Sequence, residues 1–461
     1  LKAYELDPDD NDTSDFLITI YRNLAKLENK NGNSEKAIEY ALESKKYVYD
    51  EEGRIETDFF LAWLYDRYGK YTEAEEILRN QLAENKEDEW TLSELAYCLS
   101  AQGKYKEALE YFFTLEKLNK ADAWTYRQIG ICYKNLDKRE DALKYYLKAV
   151  ELDEEDMYSL SEIAWLYDYF GKYEEALKYL ERLEELGQDD SWTNTEFGFC
   201  LSRLKRYEEA IEKINRALEV DEKDKDMSYI YSQLGWCYHQ LENYEKALEY
   251  QLKAKEEGRN DSWTNLEIAI CYENLDNYEK ALDYALIAYD LDRDNIRILS
   301  EVAWIYDCMD NYEEGLPFLL RAEELGRDGE WIKTEIAMNL GRSGKLSEGI
   351  EKLKESLTMV DEADINRKIL INSELGWYYG KLENPEPEEG LKYLNIAKEL
   401  GRNDAWIFEV RGAVLLDLKR YQEALDSFKN AYDLNNDGWY LYCMGRCLRG
   451  LERYEEAIEI L

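Results

Sequence analysis

The sequence is short of the parts from which most enzymes and membrane proteins are assembled. It contains one histidine, His239, so every catalytic dyad or triad that needs a second one is excluded, as is a His-rich metal site. Neither a GxGxxG nor a GxxxxGK loop occurs, which leaves nucleotide binding without support and implies no cofactor. No apolar run approaches the roughly 20 residues of a membrane span. Leu1 to Asp10 lack a basic region followed by an apolar stretch, so a soluble, cytoplasmic chain is expected. Basic residues are also scarce, 59 against 101 acidic ones, a formal charge of -42. That balance repels phosphate backbones and anionic lipid, arguing against nucleic acid or membrane and for partners with basic segments. The plainest role of so many carboxylates is to solvate helix faces.

What fills the 461 residues is helix-forming: Leu, Glu, Lys, Ala and 40 tyrosines, interrupted by 4 prolines and 24 glycines. Self-alignment finds a small residue after a Gly-Lys-Tyr-Xaa-Glu type turn at Ala37, Ala74, Ala108, Ala142, Ala176, Ala210, Ala247, Ala281, Gly315, Gly349, Gly390, Ala424 and Ala457. Eight of the twelve intervals are 34 residues, the mark of stacked helical hairpins. With the small residue numbered 20 in each repeat, Gly69, Tyr71 and Ala74, or Gly171, Tyr173 and Ala176, fall at positions 15, 17 and 20. This pattern resembles the tetratricopeptide repeat (TPR) family. The resemblance implies an all-α, TPR-type solenoid of antiparallel helical hairpins forming a right-handed superhelix of about 12–13 repeats. Position 8 is small in most repeats, as at Gly130, Gly198 and Gly376, letting the first helix (A) of a hairpin approach the second (B).

Residues 1–17 read as the end of a preceding repeat plus a linker, and 18–461 as the array, cut within its last repeat; a longer parent protein is expected. Three extra residues before Ile55, three before Ser228 and the Asn384-Pro385-Glu386-Pro387 insertion read as loops.

Other motifs dissolve into the repeat. Cys98, Cys132, Cys200, Cys237, Cys271 and Cys447 all occupy position 10, which points to buried small hydrophobes in a reducing compartment rather than to disulfides or metal. Asp433, Asn435, Asp437 and Gly438 imitate the start of a calcium loop, but Met444 stands where its bidentate glutamate belongs. Paired carboxyls could serve glycoside hydrolysis, yet a repetitive acidic face singles out no pair, and no enzyme is expected. His239, at position 12, reads as a solvent- or groove-facing polar residue.

The tryptophans carry the functional signal. Trp90, Trp124, Trp192, Trp263, Trp331, Trp406 and Trp439 are at position 2, and Trp63, Trp165, Trp236, Trp304 and Trp377 at position 9. Seven helical residues apart, the two places differ by about 20° in direction and point nearly opposite the hairpin core. In a TPR-like array that face lines the concave surface. Position 6, about 40° away, carries Glu162, Glu196, Glu267, Glu301 and Glu335. The expected function is therefore a protein- or peptide-binding scaffold with a Trp/Glu-lined groove for extended segments bearing basic or apolar side chains. Some TPR modules grip a ligand carboxylate with Lys and Asn at positions 2, 5, 6 and 9. Trp, Glu and apolar residues mostly hold positions 2, 6 and 9 here, so acidic tails should bind poorly. Two rivals stay open: an architectural or self-associating array in which the indoles pack between A helices, and a peptide-sensing module attached to an effector domain.

Overall fold

The computed structural model describes residues 1–220, 223 and 225–461. Among these, every regular element is helical: 27 helices from Lys2–Leu6 to Tyr454–Ile460. None is long and apolar enough to cross a membrane. The chain divides into two compact segments, Leu1–Lys225 and Asp226–Leu461.

In both segments the same local chemistry starts and stops the helices. Most A helices are opened by an aspartate whose carboxylate accepts a backbone N–H of the first turn, as Asp122 does from Thr125 (2.8 Å) and Asp261 from Thr264 (2.7 Å); Asn295 takes that place before Ile296–Cys308. They end at position 15 in the left-handed region. Gly69 and Gly171 reach it freely (φ 70° and 69°), but Asp137, Lys205, Asp276 and Asp310 adopt it too (φ 58–62°). The reward is a closed turn in which the next amide bonds five residues back, as Lys70 N–H does to Tyr65 C=O at 2.8 Å.

Within a hairpin, position 8 lies against helix B. A Cβ added to Gly198 would stand 2.3 Å from Ile214 Cγ1, and one added to Gly376 2.4 Å from Leu394 Cγ. The sequence expectation of close A–B approach is met there. Farther along, positions 11 and 23 stack their rings: Tyr133 on Tyr145, Tyr167 on Tyr179, Tyr238 on Tyr250 and Tyr272 on Tyr284, with centroids 5.5–5.7 Å apart and planes within 25°. These rungs account for part of the tyrosine content.

One expected loop is helix instead. The extra residues before Ile55 lengthen an A helix to Glu51–Arg67, capped by Asp50 on Gly53 N–H (2.8 Å) and tied down by Arg54, which reaches both Glu51 and Glu84 at 2.5 Å. The turn after Lys381 is a loop as expected, with Pro387 as the first residue of the next helix, where its missing N–H costs nothing. Before Ser228, positions 221, 222 and 224 lie outside the described residues, while Met227 already belongs to the helix Met227–Gln240, capped by Asp226 on Tyr229 N–H at 3.0 Å.

Candidate functional site

None of the twelve tryptophans is fully buried: nine are half-buried, and Trp192, Trp304 and Trp439 are 41%, 48% and 50% exposed. The half-buried rings have partners. Trp90 meets Phe59 edge-on at 4.5 Å, Trp124 lies between Tyr97 and Phe112, and Trp236 contacts Trp263 at 6.2 Å. Several faces are covered by the chain's own cations. Arg259, Arg327 and Arg402, each four residues before a position-2 tryptophan, place their guanidinium groups 5.7, 4.1 and 4.2 Å from the ring centres of Trp263, Trp331 and Trp406. Arg67 does the same over Trp63 and Lys134 over Trp165, at 5.7 and 5.1 Å.

At Trp192 the residue four positions earlier is Gln188, and the ring is left open. A cavity of about 420 Å³ lies there, lined by Trp165 and Trp192 with Met157 and Tyr158, and with Lys134, Ser161, Glu162 and Gln188. The position-9 indole of one repeat and the position-2 indole of the next thus face one space. A larger cleft of about 640 Å³ shares Gln188 but has no tryptophan, and its Lys213 and Arg216 are already paired with Glu184 and Asp189.

The position-6 glutamates behave differently from the sequence expectation. Glu196 and Glu267 are buried, while Glu162, Glu301 and Glu335 are half-buried, so they do not form a free acidic lining. Each meets position 12 of the preceding repeat across the seam between A helices. Lys134 Nζ donates to both oxygens of Glu162 at 2.7 Å. His239 Nδ1 sits 2.6 Å from Glu267 Oε2, whose other oxygen accepts from Arg297 at 3.0 Å. His239 is therefore tied into the seam and packed against Trp236 and Tyr244, not turned to solvent.

Elsewhere the seam pairs acid with acid. Burial, reinforced by the Asp168 carboxylate, pushes the Glu196 carboxyl up to about 8. Burial and Asp66 push Glu94 up to about 7, and burial with Glu273 does the same to Glu301. Glu335 is raised by burial and Asp307, against the pull of Arg367, Arg342 and Arg327. Glu273 is also the acceptor for Trp304 Nε1–H, at 3.0 Å. The position-10 cysteines are buried and free, as expected, and burial drives their thiols up.

Four family models described as tetratricopeptide repeat match residues 67–127, 125–156, 159–191 and 189–256. The chain is a tetratricopeptide repeat protein. The repeats place it in the class of protein-interaction scaffolds. No curated protein sequence matches this TPR protein. Among solved structures it is similar to the APC/C hetero-tetramer Cut9–Hcn1, at 14% identity over 94% of this chain and 96% of that one, with a TM-score of 0.39. It is also similar to PilF of Pseudomonas aeruginosa, at 20% identity over 48% of this chain and 96% of that one, TM-score 0.41. A third is YrrB, described as a TPR protein with an unusual peptide-binding site, at 24% identity over 41% and 95%, TM-score 0.35.

Proposed function

We propose that this TPR protein binds an extended polypeptide segment and seats one large apolar or basic side chain of it between Trp165 and Trp192. The cavity between those indoles carries the reading: at about 420 Å³ it falls within the roughly 300–1,000 Å³ of small-ligand sites. Its walls are aromatic and thioether, and its rim carries the Ser161 hydroxyl and the Gln188 amide, which donate to Met157 C=O at 2.8 Å and to Asp190 at 2.6 Å and keep their oxygens as acceptors. Glu162 is neutralised by Lys134, so a basic preference rests on the long-range field of the acidic chain rather than on this carboxylate. Trp192 stands 41% exposed. Covering that share of an indole's ~150–250 Å² contributes about 2 kcal/mol at ~25 cal/mol/Å².

An architectural role fits other tryptophans. Trp263, Trp331 and Trp406 are half-buried under their own arginines, which supports packing rather than ligand capture at those places.

Selection of binders from a random peptide display library tests the assignment. Selected peptides should be rich in large apolar and basic residues, and Trp192→Ala or Trp165→Ala should weaken them at least about tenfold. Helical circular dichroism should be unchanged. Equal affinity for wild type and both variants would remove this cavity as the docking point.

A further inference from the structure

In two of the seams between A helices the position-6 glutamate is answered by a basic side chain from the preceding repeat, Lys134 for Glu162 and His239 for Glu267. Between the helices Met157–Tyr169 and Ser191–Arg203 that basic side chain is missing, because position 12 is Asp168. Two carboxyls face each other instead, and the thiol of Cys200, one turn on from Glu196, joins them. One oxygen of each carboxyl and the Cys200 sulphur all lie within 4.8 Å of one another. Glu196 is only 8% exposed, and its Oε1 has no hydrogen-bond partner. Asp168 Oδ1, also buried, has none either. An unpartnered carboxylate oxygen in such a place normally costs free energy that a fold recovers through a ligand or a proton.

We propose that Asp168, Glu196 and Cys200 form a binding site for a divalent cation of the zinc class. The donor set decides the class: a thiolate with two carboxylates suits a borderline-soft tetrahedral ion and falls short of the six to eight oxygens calcium takes. Metal–sulphur bonds of ~2.3 Å and metal–oxygen bonds of ~2.1 Å space tetrahedral ligand atoms about 3.6 Å apart, so at most about 1 Å of side-chain contraction closes the site. Water completes the fourth position. On binding, one metal–sulphur and two metal–oxygen bonds form. The Glu196 carboxyl and the Cys200 thiol each release a proton to solvent, and Asp168 ligates as the carboxylate. Two carboxylates and a thiolate around a dication leave one negative charge, which Arg203, felt electrostatically by Asp168, offsets. The raised proton affinities of Glu196 and Cys200 fit a site that holds protons when the metal is absent.

The equivalent positions of other seams are satisfied within the chain. Cys98 Sγ donates to Asp66 Oδ1 at 3.8 Å, so that thiol has a partner. At Asp307 the position-10 residue is Asn339, whose amide donates to Oδ2 at 2.9 Å. Only the Asp168 seam, among the described residues, brings three ligating groups together.

Titration of the whole chain with cobalt(II) alone, after chelator treatment under reducing conditions, tests the site. The expected result is one tight equivalent with a thiolate-to-cobalt charge-transfer band, displaced by zinc(II) and not by a large excess of magnesium(II). Cys200→Ala should abolish the band, and Glu196→Gln, which keeps the side-chain shape, should weaken affinity at least about tenfold. Cys98→Ala, Cys132→Ala and Trp192→Ala should leave both unchanged, the last separating this site from the peptide cavity. Zinc(II) should also raise the melting temperature of wild type and not of Glu196→Gln, a readout independent of the band. Absence of the band in wild type overturns the proposal, as does its persistence in Cys200→Ala or its equal loss in Cys98→Ala.

Discussion

Trp192 and Trp331 hold the same place in their repeats, each one turn before a glutamate that faces an aspartate, and differ in the side chains that cover them. Trp331 is half-buried beneath Arg327, 4.1 Å from its ring centre, and the glutamate one turn on, Glu335, feels three arginines. Trp192 is open, Gln188 stands where the arginine would be, and Glu196 one turn on feels the Asp168 carboxylate and no arginine. One side chain four residues upstream thus separates an indole that packs from one that can receive a partner. Its charge also bears on the buried glutamate next to it.

The electrostatic half of the contrast gives the largest expected effect. Glu196 has a folded value of about 8 against 4.5 for the ordinary carboxyl, so the folded state binds its proton more tightly than the unfolded one. Its contribution is full below pH ~4.5 and is lost as pH rises through ~8, the unfolded chain gaining by ionising first. Denaturant melts between pH 5 and 8 should lose stability of the order of a few kcal/mol at ~1.36 kcal/mol per pH unit. Glu196→Gln should flatten that slope more than Glu335→Gln, whose arginines already favour the carboxylate. Equal flattening would break the comparison.

Next come the rings themselves. Trp331→Ala should cost about 2 kcal/mol of stability, near half of a fully buried case, while Trp192→Ala should cost under ~1 kcal/mol and act on peptide binding instead. Transplanting the lid is the sharper experiment. Gln188→Arg should lay a guanidinium over Trp192, weaken peptide binding at least about tenfold and protect one indole from a soluble quencher. The reverse change, Arg327→Gln, should cost only ~0.5–1 kcal/mol and expose Trp331 to the same quencher. If neither substitution moves quenching, the arginine is not the lid.

Much of this was legible in the sequence. The 34-residue period gave the hairpins, the position-8 glycines gave the close A–B approach, and position 10 gave buried free cysteines, because each follows from one repeat considered alone. The glutamates failed for the opposite reason. A helical wheel puts position 6 about 40° from the indoles and stops there; only the neighbouring repeat shows that position 12 closes over it, burying Glu196 and Glu267 and capturing His239. The lids were written in the chain as Gly258-Arg259, Gly326-Arg327 and Gly401-Arg402, each with its arginine four residues before a tryptophan, against Gly187-Gln188. Their meaning depended on the guanidinium folding back over the ring, which no period reports. The extra residues before Ile55 became helix because Asp50 and Arg54 found partners at a helix start, including one on the next helix, Glu84.

The position-12 to position-6 seam also tells an experimenter where to divide the chain. Separating Lys134 from Glu162 would strand a half-buried charge, whereas the seam of Ser100 with Gln128 and Cys132, where the thiol meets the Ser100 hydroxyl at 3.4 Å, carries no ionised group. A cut before Ala123 does break the Lys148–Glu116 pair, but it leaves the more exposed Lys148 where a cut before Met157 leaves the deeper Glu162, so a fragment beginning at Ala123 should remain folded at its new edge more readily than one beginning at Met157.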